Sequence, residues 1–91
     1  MTILCIETST NCCSAAITIN GQAVASRENL VGANHASELP VFIDQLLQEA
    51  REQGWQLDAV ALSQGPGSYT GLRIGASTAK GLCYGMNIPL I

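Results

Sequence analysis

Short apolar runs open the chain, and helical spacing takes over later. Thr2 to Ile6 is apolar and reads as a central strand. Glu7-Thr8-Ser9-Thr10-Asn11 follows, an acid and a row of hydroxyls of turn composition. Cys12 to Ile19 then alternates, with Cys13, Ala15, Ile17 and Ile19 on one face of a second strand. Asn20-Gly21 is the dipeptide of a tight hairpin, and Gln22 to Arg27 returns as a third strand. After a loop from Glu28 to Asn34, Leu39, Phe42, Ile43, Leu46, Leu47 and Ala50 form one helical stripe. Asn34 or Ser37 caps that helix. Pro40 falls in the first turn if Ser37 is the cap, and deeper inside if Asn34 is. Gly54 suits the residue after the helix, and Trp55 leads into an apolar strand from Leu57 to Ser63.

The segment Gly65-Pro66-Gly67-Ser68-Tyr69-Thr70-Gly71-Leu72-Arg73-Ile74-Gly75 joins that strand to a second helix, from about Thr70 or Gly71 to Tyr84. A strand, a glycine-rich turn and a helix start aim backbone N–H groups and a helix dipole at one point. The spacing is not that of the dinucleotide fingerprint, because Gly71 comes one residue late, and no Gly-Lys-Ser/Thr is present for a P-loop. Two readings stay open: an anion-binding loop, or a tight turn into a closely packed helix. Within the second helix Gly71, Gly75 and Ala79 recur every four residues, with Leu82 and Met86 nearby. Such a stripe admits a close backbone, either that of the chain's own sheet or that of a partner helix. Ile88 to Ile91 reads as a strand just begun, so the order is β-β-β-α-β-α-β in an α/β mixed sheet of about five strands. The strands after the helices are expected parallel to the first.

Composition sharpens this picture. Hydrophobic residues make up 47% of the 91 residues and charged residues only 12%. A small domain ordinarily carries about a quarter charged residues. An apolar face covered by further chain or by a partner is therefore expected, and residues 1–91 read as one domain, a fragment of a longer protein. A formal charge of −3, with cations only at Arg27, Arg51, Arg73 and Lys80, argues against nucleic-acid binding by this segment alone. No membrane span or basic leader is evident. Cys5, Cys12, Cys13 and Cys83 contain no C-x-x-C and read as reduced, buried apolar residues. The sole histidine, His35, builds no zinc site with these scattered thiols, and no nucleophile stands with a base, so metal, catalytic and peptidase readings find no residues.

Ile3-Leu4-Cys5-Ile6-Glu7-Thr8-Ser9-Thr10 with Cys13-Ser14, His35 with Leu39-Pro40, and the run from Gly65 to Gly75 together resemble the TsaB (YeaZ) family, in order and over essentially the whole chain. The glycine-rich run is the most specific of these motifs. The resemblance implies the N-terminal ribonuclease-H-like lobe of a two-lobed protein of the actin-like ATPase superfamily. It also implies a cytoplasmic role in making threonylcarbamoyladenosine, next to the anticodon of tRNA. In that family the catalytic subunit is the paralogue TsaD and the ATPase TsaE joins the assembly. TsaB lacks the metal-binding histidine pair of TsaD and serves as a dimerisation partner or scaffold, meeting tRNA only through the complex. The resemblance further implies that the two helices form the subunit interface, as heterodimer or homodimer. Leu39, Ile43 and Leu47 on one helix and Gly71, Gly75, Ala79 and Leu82 on the other are the expected interface residues, with no catalytic residue and no cofactor. The alternative is an ATP-binding phosphotransferase or ATPase of the same superfamily. There Glu7 would serve magnesium, and Thr8, Ser9, Thr10, Gly65, Gly67 and Ser68 would contact the nucleotide.

Overall fold

The structure, a computed structural model, describes residues 1–8, 13–29, 35–63 and 69–91, with the backbone alone described at 8, 13, 29, 35–38 and 69–75. Its elements are β1 (Thr2–Thr8), β2 (Cys13–Ile19), β3 (Gln22–Asn29), α1 (His35–Gln53), β4 (Ala59–Ser63) and α2 (Tyr69–Met86). The sheet order is β3-β2-β1-β4. β1 pairs antiparallel with β2, β2 antiparallel with β3, and β1 parallel with β4, as expected of a strand that returns after a helix.

Local chemistry explains the boundaries. Asn20 and Gly21 turn the β2–β3 hairpin with φ of 52° and 84°, the two positive values that match a tight turn to the twist of its strands. Gly54 ends α1 at φ 78°. Its N–H donates to the Arg51 carbonyl at 3.3 Å, and the Trp55 N–H donates to the Ala50 carbonyl at 2.8 Å, so two orphan carbonyls are satisfied. A Cβ at Gly54 would meet no atom within 4 Å, so only the backbone demands glycine here. Gly54→Ala is expected to cost roughly 1–2 kcal/mol for a left-handed L-residue. Thermal denaturation checks this as a drop of about 4–8 °C per kcal/mol. Asn87, at φ 56°, ends α2 the same way, and the Ile88 N–H donates to the Cys83 carbonyl at 3.1 Å. α2 therefore runs two residues past the expected Tyr84.

Register explains the core. Leu4 lies opposite Ile17 and Val60, and Ile6 opposite Ala15 and Leu62, so these side chains share one face of the sheet. Both helices lie on that face, α1 against β2 and β3, α2 against β4 and β1. Leu4, Ile6, Ala15, Ile17 and Val60 meet Leu39, Ile43, Leu46 and Ala79 in one cluster. At the rim of α1, Arg27 donates to Gln45 Oε1 and to Glu49 Oε1, both at 3.2 Å, and ties β3 to the helix. The opposite face carries Ile3, Cys5, Ala16 and Ala61, all half-buried. No described element of the chain packs over it.

Three expectations change. The sheet of the described residues has four strands, not about five. The run from Ile88 to Ile91 makes a single parallel bridge, Leu90 to Val60, with bonds of 3.0 and 2.8 Å on the two sides of Val60. That parallel pairing at the outer side of β4 is what a strand just begun would make. α1 begins at His35, so Ser37 is not its cap and Pro40 lies inside the helix, without the N–H that would reach the carbonyl of Ala36. Cys5 and Cys83 are free thiols, but half-buried rather than buried, Cys5 because it points to the uncovered face.

Candidate functional site

Two places bring candidate residues together. The first is the polar end of the sheet. β1 and β4 are parallel neighbours, so the turn after Thr8 and the glycine-rich segment after Ser63 leave the sheet at the same end. Carboxyl ends of parallel strands are where ligands dock in α/β sheets. Glu7 stands opposite Ser63 on one side and Ser14 on the other. With Cys5, Ala16 and Ala61 these three line a shallow depression on the uncovered face. Glu7 is exposed and makes no ion pair among the described residues. Ser14 and Ser63 join the site although neither was among the expected contact residues. Strand parity was the available signal, because Ser14 precedes Ala16 by two residues and Ser63 follows Ala61 by two, and both alanines share the face of Cys5. Of the nucleotide candidates, Ser9, Thr10, Gly65, Gly67 and Ser68 lie outside the described residues, and Thr8 is described by its backbone alone. Among the described residues no group of three or more His, Cys, Asp and Glu side chains is placed to hold a metal.

The second place is the helical surface. Leu39 and Ala79 are fully buried and Ile43 is 4% exposed, all three within the core between helices and sheet. Their side chains pack against the chain's own sheet and helices. The reason is geometric: both helices present their apolar stripe to the same sheet face, so the stripe is used within the chain. Leu47 and Leu82 are half-buried and keep part of their surface. Gly71 and Gly75 lie in α2, where only the backbone is described. Leu47 also borders an open apolar groove of about 430 Å³ at the C-terminal ends of both helices, shared with Trp55, Leu57, Met86 and Ile88.

The outward side of α2 is a second exposed surface. Ser77, Lys80, Gly81, Tyr84 and Gly85 are exposed. Tyr84 is 92% exposed, so the chain uses almost none of its ring. A Cβ at Gly81 or Gly85 would meet nothing within 4 Å. Each glycine in a helix interior is roughly 0.8–1.0 kcal/mol less favourable than alanine, and no packing inside this chain calls for either. On α1, Val41 is 50% exposed beside Asp44, Gln45 and Gln48. No helix of the described residues is long and apolar enough to cross a membrane.

Comparison with known proteins places this geometry. Residues 19–91 match the family model described as TsaD: tRNA N6-adenosine threonylcarbamoyltransferase. The chain is 37% identical to the tRNA threonylcarbamoyladenosine biosynthesis protein TsaB of Haemophilus influenzae, over all of this chain and 38% of that protein. It is 35% identical to the protein of the same name from Escherichia coli, over all of this chain and 39% of the relative. Among solved structures, YeaZ from Pseudomonas aeruginosa superposes with a TM-score of 0.82 at 34% identity, over 99% of this chain and 42% of the other. The chain thus spans about two fifths of the length of these proteins. The shared fold is the ribonuclease-H-like, actin-like arrangement of a mixed sheet with helices.

Proposed function

The chain belongs to the TsaD family and is of the TsaB (YeaZ) kind, and on that premise we propose that it is the N-terminal lobe of a two-lobed cytoplasmic scaffold. The scaffold pairs with a TsaD-like transferase, which moves a threonylcarbamoyl group to the adenosine beside the tRNA anticodon. The lobe contributes a docking surface and no reacting group, and tRNA and a TsaE-like ATPase are met through the assembled complex. One observation carries the reading: Tyr84 stands almost wholly exposed between Gly81 and Gly85, neither of which packs against its own fold. Tyrosine is among the residues most enriched at the centres of protein interfaces, and neighbouring glycines let a second helix approach the backbone closely. The docking surface is therefore the outward side of α2 with the exposed side of α1. Leu47 and Leu82 lie at its margin.

Sedimentation velocity on a mixture of this chain and a TsaD-like transferase tests the proposal. A single species at the mass of the one-to-one complex is expected. Two species sedimenting separately overturn it, and a complex of two copies of this chain alone replaces the heterodimer by a homodimer.

The same premise makes the polar end of the sheet a vestige rather than a working nucleotide site. Magnesium held with substrate phosphates commonly needs one or two carboxylates, and Glu7 is the one acid among the described residues that line the depression. Titration calorimetry with Mg-ATP is expected to show no heat beyond dilution. Tight binding that disappears in Glu7→Ala assigns the lobe to a nucleotide-binding protein instead.

A further inference from the structure

We draw no further inference here: the strongest candidate, the open apolar groove at the C-terminal ends of α1 and α2 lined by Leu47, Trp55, Leu57, Met86 and Ile88, carries nothing because nothing in the structure shows what covers it.

Discussion

Gly81→Leu is expected to leave the chain folded, at least as stable as before, and unable to pair with a TsaD-like transferase. The two effects have opposite sign because they act on different surfaces. Within the chain the new side chain enters open space, since nothing lies within 4 Å of a Cβ at this position. Leucine also replaces the poorest helix former other than proline, a gain of roughly 0.5–1 kcal/mol. In the proposed complex, the same side chain would hold the partner away from the backbone beside Tyr84. A loss of pairing of at least about 100-fold is expected, equivalent to roughly 2.7 kcal/mol. Thermal denaturation reads the first effect and sedimentation velocity the second. Tyr84→Ala is the companion variant, with an expected loss of about 2 kcal/mol or more in binding and little change in melting, because a side chain 92% exposed supports nothing at home. Unchanged pairing in both variants places the interface elsewhere on the molecule.

Leu4→Ala is expected to produce the largest loss of stability. Leu4 is fully buried in β1, a central strand of the sheet, with Ile17 and Val60 as its cross-strand neighbours. Both helices close over that face, so a truncated side chain leaves a cavity that the rigid pairing on either side keeps open. The cost is roughly 2–5 kcal/mol. A domain of this size has only about 5–14 kcal/mol of total stability. The melting temperature should therefore fall by about 8–40 °C, at about 4–8 °C per kcal/mol. Urea denaturation checks the size of the effect. Val24→Ala, at a 39% exposed position in β3, is the control and should stay within about 0.5 kcal/mol of the parent. A shift for Leu4→Ala as small as that of the control means that the sheet is not closed over Leu4 as described.

The motif residues fared unevenly for a physical reason. Glu7 could be placed beside Ser63 because parallel pairing of β1 and β4 brings their carboxyl ends together. The parallel return of a strand after a helix was already expected from the sequence, and the register that sets Glu7 opposite Ser63 came from the sheet. Ser14 and Ser63 became neighbours of Glu7 through the same register. An apolar stripe states that a helix must be covered on one side, not by which neighbour. Leu39, Ile43 and Ala79 satisfy that need within the chain. The outward glycines of α2 carry no hydrophobic signal, and only their empty surroundings distinguish them.

The amino-acid sequence by itself determined what short-range chemistry controls. Asn20-Gly21 made the hairpin, alternation put Ala15 and Ile17 on one face, and Gly54 stopped α1, because backbone dihedrals and side-chain period are properties of a few adjacent residues. The motifs also named the family, since their order and spacing survive as a linear pattern. The tertiary structure alone decided that both helices share one face of the sheet, and that Leu39 and Ala79 lie inside and Tyr84 outside. Those outcomes depend on how surfaces distant in sequence compete for burial, and no local window of residues encodes which surface wins.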